Sequence, residues 1–248
     1  MRPALHHWSP ARWMLALALI VLLPTASHAQ RLPVVLDKND PAVRAILTEI
    51  EADAENARVK AKIPGMSMVI VYDQDVLLAK GFGYADLEKQ IPADPQTVYR
   101  AGSVTKSFTA LMLMQLRDAG KLQLDDPIEK YLPEFKIKSR FPDARPATFR
   151  QVAAHYSGLP REAPMLHEYR ATDEFPSVED QLKSLTTANS EMMIPPMTLY
   201  SYSNLGYDIM GLALSRIAKQ PYDRYVADQI LKPLGMNSSG FADRKSVV

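Results

Sequence analysis

The chain has 248 residues, with 29 Lys and Arg against 28 Asp and Glu, a formal charge of +1, 47% hydrophobic residues and no cysteine. So balanced a surface argues against nucleic acid as a partner, because phosphate binding needs clustered basic residues. Without cysteine there are no disulfides, no thiolate catalysis, no lipid attachment at a cysteine and no Cys-ligated zinc, so core burial alone holds the chain together.

Residues 1–29 read as a secretory signal peptide. Arg2 and Arg12 precede an apolar run from Met14 to Leu23, followed by Pro24 and the small-residue order Ser27-His28-Ala29. That run is about half of the roughly 20 residues a membrane-spanning helix needs. Cleavage after Ala29 is the expectation and an uncleaved anchor the alternative. Nothing later in the chain reads as a membrane span, so the mature protein is expected to be exported, periplasmic or extracellular. Of the histidines, His6, His7 and His28 leave with the leader, and His155 and His167 are not at metal-ligand spacing. No metal or other cofactor is expected.

Asp40-Pro41 is a helix start, a capping side chain followed by proline where its missing N–H costs nothing. Val43, Ile46, Leu47, Ile50 and Ala54 continue at helical spacing to about Lys62. Ser67 to Tyr72 and Val76 to Tyr84 are β-rich runs separated by Asp73-Gln74-Asp75, which predicts an antiparallel hairpin, with Gly81 and Gly83 marking a bend or close approach. From Lys106 the pattern is helical again and apolar on nearly every side, from Phe108 to Leu116, which predicts a buried helix closed by Gly120. Asp125-Asp126-Pro127 opens a short helical stretch. Prolines 133, 142, 146, 160 and 164 then predict short helices and loops up to Arg170. Further helices are expected from Asn204 to Lys219 and from Tyr222 to Leu231. Two strands alone make a marginal sheet, so the chain looks short of strands.

Two motifs carry chemistry. In Ser103-Val104-Thr105-Lys106 the serine and lysine, three positions apart, share a helix face, so the amine can reach the hydroxyl. A serine hydroxyl becomes a useful nucleophile only beside a group that takes its proton, and the candidates are Lys106 and Tyr202 of Tyr202-Ser203-Asn204. Each motif has a plain structural reading. A chain this long contains on the order of one S-x-x-K by chance, and Ser103 or Ser203 would serve simply as a helix cap. Lysine is almost never fully buried unpaired, so a lysine at the head of an apolar helix favours the functional reading.

The flanks decide between them. Thr97 to Thr109, TVYRAGSVTKSFT, resembles the nucleophile segment of the serine β-lactamase-like family, which includes class C β-lactamases, D-alanyl-D-alanine carboxypeptidases and related esterases. Ile63-Pro64-Gly65-Met66-Ser67, His155-Tyr156-Ser157-Gly158-Leu159-Pro160, Tyr200 to Tyr207 and Pro233-Leu234-Gly235-Met236 resemble further family segments in order, with Tyr156 where a threonine is usual. The resemblance spans about Ile63 to Met236. It implies an α/β (α+β) fold of the β-lactamase/transpeptidase-like type, an antiparallel sheet flanked by helices plus a helical subdomain, occupying residues 30–248. It also implies catalytic roles for Ser103 as nucleophile, Lys106 and Tyr202 in proton transfer, and substrate binding by Asn204 through a hydrogen bond to the substrate amide. Backbone amides, that of the nucleophile among them, would form the oxyanion hole.

The family's third motif, Lys-Thr-Gly or a His-x-Gly variant on a late strand, is not matched in the twelve residues after Met236, since Lys245-Ser246-Val247 lacks the glycine. The shortage of strands and the missing motif read as one fact, absence of the C-terminal strands of the sheet, and a truncated product or fragment is expected. The function implied is an exported serine hydrolase that forms an acyl-serine on a β-lactam, a D-amino-acid peptide or a small ester, with a small-molecule or peptide substrate as its partner and the oligomeric state left open. The alternatives are a non-catalytic penicillin-recognising or interaction module, and a piece that does not fold stably alone.

Overall fold

A computed structural model describes residues 36–167, 176–187 and 190–241. The leader and the Lys245 triplet lie outside the described residues. The chain divides after Thr97 into two compact units.

In the first unit, α1 spans Pro41–Lys60, with the Asp40 carboxylate accepting from the Ala42 N–H at 2.7 Å and proline at the first helical position. Strands β1 (Gly65–Tyr72) and β2 (Asp75–Asp86) pair antiparallel from Gly65↔Gly83 to Tyr72↔Asp75. The turn is tighter than the sequence suggests, because Asp75 already pairs and Asp73 enters the left-handed region at φ 55°. Arg58 fastens the end of α1 to the entry of β1 by donating to the carbonyls of Ile63 at 2.8 Å and Pro64 at 3.3 Å. A third strand, β3 (Ile91–Pro92), pairs with β2 and gives a three-stranded antiparallel sheet in the order β1-β2-β3. Two residues, one of them proline, carry no strand signal, so this strand was not foreseen. A Cβ on Gly81 would lie 2.0 Å from the Ala93 carbonyl oxygen, the close approach that the glycine pair suggested.

The second unit is helical. Helices α2 (Thr105–Asp118), α3 (Phe149–Ala153), α4 (Val178–Thr187), α5 (Asn204–Ala218) and α6 (Tyr222–Val226) follow in order, and a π-helical turn at Ala227–Leu231 extends the last. Its core joins Met112 and Leu116 of α2, Ile128, Leu132, Phe149 and Val152 to Leu205, Ile209, Met210 and Leu214 of α5 and Ile230, all essentially inaccessible. At roughly 1.5–3 kcal/mol per fully buried large side chain, this cluster is the main favourable term for the unit.

The all-round burial expected of α2 is not found. Thr109, Met112, Leu113 and Leu116 are buried, whereas Leu111 is 40% exposed. Apolar composition records which side chains avoid water; coverage depends on what packs alongside, and within this unit α5 and α6 pack against α2. Helix α4 was also unforeseen. Ser177 accepts from the Asp180 N–H at 3.1 Å, while Leu182 and Leu185 face inward, a cap and spacing that a closer reading of that stretch contains. Among the described residues no helix is long and apolar enough to cross a membrane.

Candidate active site

Ser103 lies in a single 3-10 turn, Gly102–Val104, that runs directly into α2. No side chain caps this helix, so the capping role open to Ser103 is not the one it plays. Its hydroxyl is 2.7 Å from the Tyr202 hydroxyl and accepts from Lys106 Nζ at a long 3.4 Å. Lys106 makes its shorter bond, 2.7 Å, to the Asn204 side-chain oxygen. The ammonium also stands over the rings of Tyr202 and Tyr207, 4.9 and 5.4 Å from their centroids. All four residues expected from the sequence therefore meet, although 99 positions separate Ser103 from Tyr202. Lys106 is partly rather than fully buried.

In the second motif both readings hold at once. Ser203 caps α5, accepting from the Gly206 N–H at 2.8 Å, and that cap places Tyr202 just before the helix and Asn204 in its first turn. The segment His155 to Glu162 holds this helix end. Ser203 Oγ donates to the Pro160 carbonyl at 2.6 Å, and the backbone N–H groups of Asn204 and Leu205 donate to the Arg161 carbonyl. The segment follows α3, which is opened by a reciprocal Thr148–Gln151 capping box. Gly158 turns it at φ +74°, where a Cβ would meet the Ile194 carbonyl oxygen at 2.0 Å. Tyr156, the departure from the family pattern, packs edge-on against Tyr200.

Three participants escaped the sequence reading. His155 stacks on Tyr202 with centroids 4.4 Å apart, and its Nδ1 accepts from the Ser203 N–H at 3.2 Å. Burial, and then the charge of Lys106, push its pKa down, so it is neutral near pH 7 with its proton on Nε2. It is held at φ 61°, a left-handed conformation that costs a non-glycine residue about 1–2 kcal/mol. Glu162 accepts from the Asn204 amide at 2.6 Å, so both ends of that amide have protein partners. Arg161 lies over the Tyr202 ring at 5.2 Å. Both residues follow the His155–Pro160 motif directly, which is the one signal that pointed to them.

Tyr202 is the tuned group of the cluster. Its pKa is held below the ordinary phenol range, first by Lys106 and then by the Ser103 hydroxyl, with the charges of Lys106 and Arg161 adding and burial opposing. A tyrosine oxygen of lowered proton affinity, at hydrogen-bond distance from a serine hydroxyl, is placed to take part in proton transfer. Among the described residues no group of three His, Cys, Asp or Glu side chains is arranged to hold a metal ion.

A family model described as Beta-lactamase matches residues 44–248. Protein flp of Staphylococcus aureus (strain COL) is 34% identical over 195 residues, which is 78% of this chain and 38% of flp. Among solved structures, the octameric penicillin-binding protein homologue from Pyrococcus abyssi aligns with a TM-score of 0.65 at 33% identity, covering 77% of this chain and 43% of that one. The β-lactamase/D-alanine carboxypeptidase from Yersinia pestis aligns with a TM-score of 0.65 at 31% identity, covering 74% and 52%. This chain thus spans well under two thirds of the length of each of these relatives.

Proposed function

Because the chain belongs to the β-lactamase family, we propose that it carries the acylating half-site of an exported serine hydrolase acting on a β-lactam, a D-amino-acid peptide or a small ester. The observation that carries this reading is the 2.7 Å contact between the Ser103 and Tyr202 hydroxyls beside a lysine ammonium. Ser103 Oγ attacks the substrate carbonyl carbon as its proton passes to the Tyr202 oxygen. The tetrahedral adduct then collapses; the leaving nitrogen or oxygen takes that proton, and the acyl group stays on Ser103. Water attacks the ester carbon, the acid departs, and Ser103 regains its proton.

Lys106 acts mainly through its charge. At 3.4 Å it is a poor direct acceptor for the serine proton, whereas its field lowers the proton affinity of Tyr202. Asn204, tied to Lys106 and Glu162, holds the ammonium in register and is the residue that would meet a substrate amide. The Ser103 N–H, at the start of a helix where backbone donors lack intrahelical acceptors, supplies one oxyanion donor. The relatives' names and the β-lactamase match support this substrate range, and the leader motif supports export.

A fluorescent fluorophosphonate and a fluorescent penicillin test the reading on the folded chain. Covalent labelling by either reagent that disappears in Ser103→Ala is the expected result. Absence of labelling by both, with cooperative unfolding intact, would replace the enzyme with a binding module.

A further inference from the structure

A cavity of about 470 Å³ lies beside Lys106, among α2, α4, α5 and α6. Neither Ser103 nor Tyr202 lines it; Thr109, Asp208, Gly211, Ser215, Tyr222 and Val178 do, with Lys106 at one end. This volume falls in the range that holds small ligands, roughly 300–1,000 Å³.

Asp208 is the feature that the proposed chemistry leaves unused. It is partly buried, and its carboxylate accepts no hydrogen bond from any described residue. A desolvated carboxylate without a donor is costly, and burial accordingly raises its pKa to about 6. The charged groups that act on it are Lys106 from α2 and Glu162 from the segment before Pro164, and its own charge acts on Tyr222 from α6; Glu179 of α4 also lines the cavity. Two carboxylates, Asp208 and Glu162, thus stand near one ammonium, and that ammonium is already bonded to Asn204 and Ser103.

The rest of the wall suits the same kind of guest. Ser215 donates to the Gly211 carbonyl at 2.9 Å and Thr109 shares a proton with Tyr222 at 2.7 Å, which leaves oxygen lone pairs to accept from a donor inside. Val178, Leu212 and the Tyr222 ring supply apolar surface. Gly211 sits inside a 15-residue helix, where glycine costs about 1 kcal/mol relative to alanine, and its missing side chain keeps the cavity open beside the Tyr222 ring.

We propose that this cavity is a binding site for a small organic cation, a primary ammonium on an apolar body, with Asp208 as the counter-ion and the Ser215, Thr109 and Tyr222 oxygens as further acceptors. The site leaves out the acylating hydroxyl and the Tyr202 hydroxyl but shares Lys106 and Tyr207 with the cluster around them. Occupancy gives Asp208 its missing partner, so binding weakens as Asp208 protonates.

Calorimetric titration of the chain with benzylammonium chloride tests this, with benzyl alcohol as the neutral control. Binding near pH 7.5 should fall at least about 10-fold in Asp208→Asn and at about pH 5, as expected for loss of a charged hydrogen bond. It should persist in Ser103→Ala, and benzyl alcohol should bind much more weakly. Gly211→Leu, which fills the cavity and leaves Asp208 in place, should also abolish binding. Equal affinity in Asp208→Asn, equal affinity for benzyl alcohol, or loss in Ser103→Ala would overturn the assignment. The readout is binding, so a chain that binds the amine but takes no covalent label would refute the proposed hydrolase alone.

Discussion

Replacing Tyr202 with phenylalanine removes one oxygen and leaves the rest of its environment in place. The ring keeps its stack on His155 at 4.4 Å and its contacts with Lys106 at 4.9 Å and Arg161 at 5.2 Å, so the fold is expected to be unchanged. What disappears is the acceptor 2.7 Å from Ser103 Oγ, leaving only Lys106 at 3.4 Å. A positioned acid–base group contributes about 10²–10⁴ in rate, equivalent to roughly 3–5 kcal/mol of barrier. Single-turnover acylation by p-nitrophenyl acetate, followed by stopped-flow release of nitrophenolate, should slow by that factor in Tyr202→Phe. The wild-type rate should climb with pH to a plateau below the ordinary tyrosine range, because Lys106 and Ser103 lower the Tyr202 pKa. That limb should vanish in the variant. If Tyr202→Phe kept more than about a tenth of the rate while Lys106→Ala abolished it, the lysine would be the direct base and the reasoning would fail.

Two further outcomes concern stability. Ser203→Ala removes the α5 cap at Gly206 and strips the partly buried Pro160 carbonyl of its donor, so urea unfolding should show a loss of about 1–3 kcal/mol, and a loss below about 0.5 kcal/mol would mean the turn rearranges. The pKa of Asp208 is raised on folding from 3.8 to about 6, so its neutral form favours the fold below the lower value and that advantage is lost as pH rises through about 6. Without ligand, Asp208→Asn should therefore stabilise the chain by roughly 1–3 kcal/mol near pH 8 and by little near pH 4. A melting temperature that responds equally at both pH values would contradict that burial.

Export remains a proposal drawn from the Arg2 to Ala29 pattern, and its measurement is the N-terminal residue of the secreted product, expected at Gln30.

Much of the chain was legible where the signal is local. The Asp40-Pro41 start, the hairpin of β1 and β2 and the Asn204 helix appear close to where capping chemistry and periodicity put them. Ser103 and Lys106 needed only the spacing of one helical turn. Strand β3 and the uneven cover of α2 were not legible, because pairing partners and neighbours belong to the surroundings and not to the segment.

The sequence by itself thus determined the helix ends, the hairpin, the family and the four candidate residues, since each depends on side chains within a few positions or on an ordered set of short motifs. Only the tertiary structure decided that Tyr202, not Lys106, lies closest to Ser103, that Glu162 and Lys106 grip the Asn204 amide from both sides, and that Asp208 opens on a cavity that Lys106 also lines. Those facts depend on α2 packing against α5 and on the Pro160 and Arg161 carbonyls fastening a distant loop to one helix end. Such long-range contacts are set by how the core closes, and periodicity does not encode them.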